Sequence, residues 1–158
     1  MQQGCRARHY ANIYFVVAPR VVIDTNVLVS ALLRRESYNR EVFQACFEDR
    51  LTPLAGHTLF LEYEDVLGRE ALFKKSPLSG LERQRFFESF LNVCEWVRVY
   101  YLWRPNLRDE GDNHILELAV AGGASMIVTK NTADFEGANL RFPDIRVLGP
   151  KDLLKELA

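Results

Sequence analysis

Short apolar runs alternate along the chain with longer segments that carry apolar residues at a helical period. The runs predict strands at 21–29, 51–55, 97–102, 125–129 and 145–148. The periodic segments predict helices at 30–33, 38–49, 57–73, 81–96 and 150–157, and a further helix between the loop 105–113 and Ala121. Strands that alternate with helices predict an α/β fold, with three layers (α/β/α) around a central, mostly parallel sheet.

The run 21–29 contains an acid, Asp24, inside an otherwise apolar stretch. A carboxylate at such a position requires a partner, because burying an unpaired charge is costly. Asp24 has two readings at this point. It caps the helix that follows, or it binds a metal ion at the carboxyl end of a central strand, where ligands bind in open α/β sheets.

The chain has 158 residues, the size of one domain. Residues 1–19 fit the pattern poorly, because the short apolar run 13–18 follows Arg6, Arg8 and His9 without the features of a signal peptide. We interpret residues 1–19 as an N-terminal extension or as the product of a start codon placed too far upstream, with an added edge strand as the alternative. Residues 20–158 are predicted to form a single domain.

Composition narrows the functional classes. The chain is 48% hydrophobic and 26% charged with a net charge of −1, which disfavours a strongly basic nucleic-acid binder but leaves open an enzyme that reaches phosphates through metal ions. The cysteines are far apart, which argues against a disulfide framework or a zinc site and favours the reducing cytoplasm. No apolar stretch approaches the roughly 20 residues that span a bilayer, so a membrane protein is not expected.

Further acids occupy positions like that of Asp24. At about 100° per residue, Glu62 falls within the apolar arc of the helix 57–73, while Glu64 points to solvent. Asp112 lies one turn before Ile115, on the apolar face of the helix predicted between the loop 105–113 and Ala121. The simpler interpretation there is that Asp112 or Asp109 caps this helix. Asp134 follows the buried strand 125–129.

These acids are expected to converge, because the carboxyl ends of parallel strands lie at one edge of the sheet. Close carboxylates repel one another, and a divalent cation removes the conflict. Oxygen ligands favour Mg²⁺ or Mn²⁺ over zinc. Such a site hydrolyses phosphodiesters by activating water and by stabilising charge on the phosphate oxygens.

The acids lie in four short motifs, which are the segments Ile23–Ser30, Leu61–Leu67, Asp109–Asn113 and Val128–Phe135. In this order the motifs resemble those of the PIN domain family, and among its members those of the VapC-like toxins of bacterial toxin–antitoxin systems. Each motif alone is weak evidence, and the four together are specific. The resemblance covers about residues 20–150.

The resemblance implies a PIN-like fold and a metal-dependent endoribonuclease whose core acids are Asp24, Glu62 and Asp112. Asp134 is implied as the fourth metal ligand, with Asn131 as its alternative. It also implies outer positions around the metal for Asn26, Thr129 and Asp109. The expected cofactor is Mg²⁺ or Mn²⁺, and the expected partners are RNA, an antitoxin protein and a second copy of the chain.

Several alternatives stay open. A PIN-fold binding module with weak or no nuclease activity, acting through a protein or RNA partner, is the main one. A haloacid-dehalogenase-type phosphatase is disfavoured, because Asn26 stands where a second Asp is expected. Lys130 and Arg108 are either phosphate contacts or, as we favour, solvated surface charges. Tyr100, Tyr101 and Trp103 either pack, as we favour, or stack on a base.

Overall fold

A computed structural model describes residues 17–100 and 112–158. Its strands are β1 (Arg20–Ile23), β2 (Thr52–Ala55), β3 (Glu95–Trp96), β4 (Met126–Val128) and β5 (Arg146–Leu148). Its helices are α1 (Thr25–Leu33), α2 (Tyr38–Phe47), α3 (His57–Leu67), α4 (Gly80–Val93), α5 (Asn113–Gly122), α6 (Ala138–Arg141) and α7 (Pro150–Leu157). Short 3-10 helices form at Glu70–Phe73 and Thr132–Phe135.

The strands form one five-stranded sheet in the order β3-β2-β1-β4-β5. Each neighbouring pair is parallel, and Val21 in β1 pairs with Pro53 on one side and with Met126 on the other. Helix α5 packs against β1, β2 and β4, while α1, α2, α3, α4 and α7 pack among themselves. The predicted three-layer α/β/α fold with a parallel sheet is therefore confirmed.

The centre of the sheet is the most deeply buried part of the described chain. Val21, Val22 and Ile23 of β1 are fully inaccessible to solvent, as expected for a parallel strand covered on both faces. An aromatic cluster fills the space between α2, α3 and α4, where the rings of Phe43 and Tyr63 each meet Phe90 edge to face. The phenylalanines of α4 thus belong to the core, as their spacing predicts.

The first strand is shorter than predicted. It ends at Ile23, and α1 begins at Thr25 inside the apolar run. The buried residues of α1 fall at a helical spacing. They are Thr25, Val27, Leu28, Ala31 and Leu32. The apolar run does not reveal where the strand changes to a helix, because other elements bury most residues of both β1 and α1.

Two other predicted elements have different bounds in the structure. The helix predicted over 57–73 stops at Leu67, and a separate 3-10 helix follows Gly68. The strand predicted at 97–102 lies instead at Glu95–Trp96, and residues 101 and 102 fall outside the described residues.

A proline in a predicted strand indicates an edge strand or an early position in the strand. Pro53 is the second residue of β2, which is an early position, although β2 is not an edge strand. The missing N–H of proline is tolerated there because β3 pairs only with Leu54 and Ala55.

The helical period predicts Arg83 on the solvated side of α4, and this prediction is wrong, because the residue is only 5% exposed. Its guanidinium donates to the carbonyl of Leu78 at 2.9 Å and to Glu70 at 2.8 Å, and it lies over the ring of Phe73. The segment between α3 and α4 therefore folds back over the start of α4 and buries a charge that the helical period assigns to water.

The predicted edge strand near residues 13–18 lies almost entirely outside the described residues. Within the described ranges, every helix is too short or too polar to cross a membrane.

Candidate active site

The order of the strands reverses beside β1. From β1 the chain builds β2 and β3 on one side, and it later returns to add β4 and β5 on the other side. Ligands bind outside the carboxyl ends of strands at such a reversal, because the connections leave in opposite directions and open a crevice. Asp24 directly follows β1 and Thr129 directly follows β4, so both residues stand at the mouth of this crevice.

The carboxylate of Asp24 is buried, since the residue is only 5% exposed. The hydroxyl of Thr129 donates a hydrogen bond of 2.7 Å to its Oδ2 atom. Asp24 occupies the N-cap position of α1 without the usual side-chain capping hydrogen bond, although the backbone N–H of Thr25 contributes a hydrogen bond to its carboxylate. The metal-binding role of Asp24 stays a prediction beside the capping role.

Thr129 is fully buried and is held by several partners. Its hydroxyl oxygen accepts from the side-chain amide of Asn26 at 3.3 Å and from the backbone N–H of Asn131 at 3.2 Å. The hydroxyl carries one proton, and these two donors direct that proton towards Asp24. The amide oxygen of Asn26 in turn accepts from the backbone N–H of Lys130. Thr129 thus contacts Asp24 directly and Asn26 contacts Thr129, while their outer positions around a metal ion stay a prediction.

Helix α3 is attached to the end of β1 by Tyr63. This residue is fully buried, and its hydroxyl donates a hydrogen bond to the carbonyl of Ile23. Burial raises the pKa of the Tyr63 hydroxyl well above its ordinary value, so the group remains a donor. Since Glu62 precedes Tyr63 and Asp24 follows Ile23, this hydrogen bond sets the approach of Glu62 to Asp24.

Glu62 contacts His114 of α5, whose Nε2 atom lies 2.6 Å from Oε2 of Glu62. Burial by itself raises the pKa of Glu62, but the interactions with His114 and with the Thr25 side chain outweigh it and hold the pKa below its ordinary value of 4.5. Glu62 is therefore ionised near neutral pH. Glu64 and Asp65 on the same helix are exposed, whereas Glu62 is partly buried. This difference agrees with the predicted inward direction of Glu62.

The pKa of Asp24 is raised above its ordinary value of 3.8. Burial is the main cause, and the negative charge of Glu62 adds to it, while the hydrogen bonds from Thr129 and from the Thr25 backbone oppose it. The two carboxylates are therefore close enough to repel each other.

The remaining predicted residues are spread around the crevice. Asp112 stands at the N-cap position of α5 without a capping hydrogen bond from its side chain, and it is partly buried. Asp134 lies on the 3-10 helix after β4, partly exposed, and Asn131 precedes that helix as an exposed residue. Asp109 and Arg108 fall outside the described residues. Lys130 is exposed, and its ammonium donates to the hydroxyl of Ser30 at 2.8 Å.

Sequence reasoning missed two contributors to this site. The helical period predicts Tyr63 on the apolar face of α3 and His114 on the polar side of α5, and it assigns neither residue to the site. Tyr63 is fully buried, as this predicts, while the side chain of His114 is only 15% exposed. The helical period carries no information about which side chain of another element each residue meets.

The donor set of the crevice suits an oxygen-seeking divalent cation in part. Asp24 and Glu62 offer carboxylate oxygens whose mutual repulsion a cation would relieve. In the part of the chain that the structure describes, however, no three His, Cys, Asp or Glu side chains are grouped closely enough to hold a metal ion. Binding of a metal ion by Asp24, Glu62, Asp112 and Asp134 therefore remains a prediction. Asp24 and Glu62 are the pair among them whose interaction the structure supports.

Comparison with known proteins identifies the architecture. A family model described as the PIN domain matches residues 20–133. Among solved structures, the chain is similar to VapBC2 from Rickettsia felis bound to a DNA fragment from their promoter, at 17% identity and a TM-score of 0.55 over 82% of this chain and 98% of that one. It is also similar to PAE2754 from Pyrobaculum aerophilum, at 15% identity and a TM-score of 0.54 over 92% of this chain and 95% of that one. The curated proteins contain no match.

Proposed function

Because this chain belongs to the PIN domain family, whose members are nucleases, we propose that it is a metal-dependent endoribonuclease that hydrolyses RNA phosphodiester bonds. The observation that carries the proposal is the carboxylate of Asp24, buried at the reversal of strand order and held there by Thr129, with the charge of Glu62 near enough to raise its pKa. A buried carboxylate that faces a second one is destabilising by itself. Its position is explained if the pair serves a cation and a phosphate.

In this proposal Asp24, Glu62 and Asp112 hold Mg²⁺ or Mn²⁺, with Asp134 or Asn131 completing the set. The bound cation would supply Lewis-acid chemistry, polarising the phosphate oxygens and making water more acidic. Thr129 fixes the orientation of Asp24, and His114 fixes that of Glu62. A water molecule attacks phosphorus in line with the leaving oxygen, and Asp112 accepts the proton of the water. The P–O ester bond breaks as the leaving oxygen takes up a proton from solvent.

The deciding experiment is cleavage of single-stranded RNA in Mn²⁺ by the wild type and by Asp24→Asn, Glu62→Gln and Asp112→Asn. We expect metal-dependent cleavage that each change reduces by at least about a hundredfold. Glu64→Gln is the matched control, because Glu64 lies on the same helix as Glu62 and is exposed. Equal cleavage by the wild type and the acid variants would reject the assignment of these acids.

We further propose that the protein is the toxin of a toxin–antitoxin pair and acts in the cytoplasm as a homodimer. The support is the fold shared with VapBC2 and the acidic pair Asp24 and Glu62, whose charge a basic segment of an antitoxin would complement. Induced expression of the wild type is expected to arrest bacterial growth, while Asp24→Asn is expected to be tolerated. Tolerance of an actively cleaving wild type would reject the toxin role and leave the nuclease proposal standing.

The second candidate is a binding module that keeps the fold and acts through a partner. One observation favours it, namely that no three potential metal ligands are grouped within the described residues. Calorimetric titration with Mn²⁺ separates the two candidates. Absence of both Mn²⁺ binding and RNA cleavage would select the binding module.

A further inference from the structure

A cleft of about 370 Å³ opens beside the candidate active site. One wall is the start of α3, the second is the segment that follows β3, and the third is α5. His114 lines this cleft and also contacts Glu62, so the cleft and the crevice share a side chain. A ligand in contact with His114 would therefore be separated from Glu62 by that one side chain.

Two aromatic side chains at this cleft remain open to solvent. Trp96 is 52% exposed although the ring of Phe60 meets it edge to face at 5.9 Å, which fixes its orientation. Tyr100 is 78% exposed. The interior of the cleft is apolar, formed by Leu118 and Gly56. Exposed aromatic faces beside an apolar wall suit the flat face of a nucleobase.

The polar groups of the cleft complement a nucleotide. Arg98 and His57 are exposed at the cleft and can donate hydrogen bonds to phosphate or ribose oxygens. Glu117 also lines the cleft and is only 6% exposed. Its carboxylate accepts hydrogen bonds, and the amino and imino groups of bases donate them.

We infer that this cleft binds a nucleobase of single-stranded RNA next to the phosphate that is cleaved. The inference rests on the proposed function, since the adjacent acids define where that phosphate lies. A small concave site with stacking faces and a buried acceptor fits one base better than it fits a protein surface, which buries about 800 Å² on each partner. In this assignment Tyr100 stacks on the base, in contrast to the packing role that we favoured from the sequence.

The first test measures RNA affinity without cleavage. A fluorescent single-stranded RNA heptamer of mixed sequence is titrated, by anisotropy, with Asp24→Asn protein that carries Tyr100→Ala or Tyr100→Phe. Tyr100→Ala is expected to weaken binding by about tenfold, while Tyr100→Phe keeps the aromatic face and is expected to keep the affinity. Tyr100 is largely exposed, so neither change is expected to disturb the fold. Unchanged affinity in both variants would overturn the inference.

The second test is independent of nuclease activity. The chain has two tryptophans, so Trp103→Phe leaves Trp96 as the only one. Stacking of a base near Trp96 is expected to quench its fluorescence when RNA is added to this variant, and Tyr100→Ala is expected to shift the quenching to higher RNA concentration. The exposed change Leu72→Ala, on another part of the surface, serves as the control.

The two tests separate this inference from the proposed function. Quenching that depends on Tyr100, without cleavage by the wild type, would reject the nuclease proposal and retain the base site. Metal-dependent cleavage with neither quenching nor a loss of affinity would retain the nuclease and overturn the base site, leaving a protein segment as the occupant of the cleft.

Discussion

The hydroxyl of Thr129, at the end of β4, donates a hydrogen bond of 2.7 Å to the carboxylate of Asp24, at the end of β1. These residues are 105 positions apart in the chain, and both are almost completely buried. The hydrogen bond joins the two strands at which the strand order reverses. It also supplies one of the few favourable interactions available to a carboxylate at this depth.

Thr129→Val tests this relationship, because valine keeps the shape and removes the hydroxyl. We expect a loss of about 2 kcal/mol in the free energy of unfolding at pH 7, since a buried carboxylate loses its donor. Thr129→Ser keeps a hydroxyl and is expected to lose less. Urea unfolding measures both. The loss should shrink as the pH falls through the pKa of Asp24, and a loss that is constant with pH would contradict the role of this hydrogen bond.

Asp24→Asn is expected to stabilise the metal-free protein. The folded-state pKa of Asp24 is raised above 3.8, so the ionised carboxylate destabilises the fold at pH 7, and this effect disappears as the pH falls towards 3.8. The neutral amide removes it, for an expected gain of about 1 kcal/mol. Thermal unfolding in EDTA at pH 7 and at pH 4 measures the gain and its decrease. A less stable variant in EDTA would contradict the argument.

The same variant reports on the metal. Saturating Mn²⁺ is expected to raise the melting temperature of the wild type, because a ligand that binds only the folded state stabilises it by about 2.7 kcal/mol at a hundred times its Kd. Asp24→Asn is expected to lose most of this shift, and Glu64→Gln is expected to retain it. Equal shifts in all three proteins would place the cation elsewhere.

His114→Asn is expected to raise the pKa of Glu62. The folded-state pKa of Glu62 is below 4.5, so this residue contributes stability above pH 4.5 that is lost as the pH falls through the lowered pKa. Without His114 the protein is expected to lose less stability over this acid range. Carbon-13 NMR titration of the Glu62 carboxyl measures the shift directly. His57→Asn, which changes an exposed histidine, should leave the titration where it is in the wild type.

Tyr63→Phe removes the hydrogen bond from α3 to the carbonyl of Ile23. We expect a loss of about 1–2 kcal/mol, because a buried carbonyl is left without that donor. Cleavage should also fall, since Glu62 loses the contact that sets its approach to Asp24. Tyr100→Phe is the matched control, as this hydroxyl belongs to an exposed tyrosine. Similar stability changes in the two variants would show that the hydrogen bond has no special weight.

Gly122→Ala tests how closely α5 lies over β2. A Cβ atom at this position would come within 2.5 Å of Cδ1 of the fully buried Leu54 and 3.1 Å of Val97. We expect a loss of about 1–3 kcal/mol from this overpacking. Gly68→Ala is the control, because a Cβ atom there meets its neighbours at 3.5 Å or more and the backbone is already helical. Equal stabilities of the two variants would contradict the close approach.

The pattern of apolar residues located some elements closely and misplaced the boundary between β1 and α1. The helix at 38–47 and the strand at 52–55 were located to within a few residues. The boundary at Asp24 was misplaced, because residues 21–23 and 27–29 are all apolar and such a run fits a buried strand as well as a buried helix. Only the sheet partners of β1 decide where the strand ends, and those partners are distant in sequence.

For the site, the sequence predicted directions but not contacts. The helical period correctly turned Glu62 inward and Glu64 outward. The approach of His114 to Glu62 depends on how α5 lies against α3, and neither helix encodes that arrangement alone. The burial of Arg83 was missed for a similar reason, because it depends on the path of the segment between α3 and α4.

The backbone N–H of Asp24 donates to the carbonyl of Val128 at 2.9 Å, at the end of a strand with no solvent exposure. An amide in this position exchanges its hydrogen with water only when the sheet itself opens. Its exchange rate in deuterated solvent therefore reports the global unfolding of the protein. We therefore expect Asp24, the residue at the centre of the proposed chemistry, to be held by the part of the sheet that unfolds last. Loops elsewhere can then open without moving it.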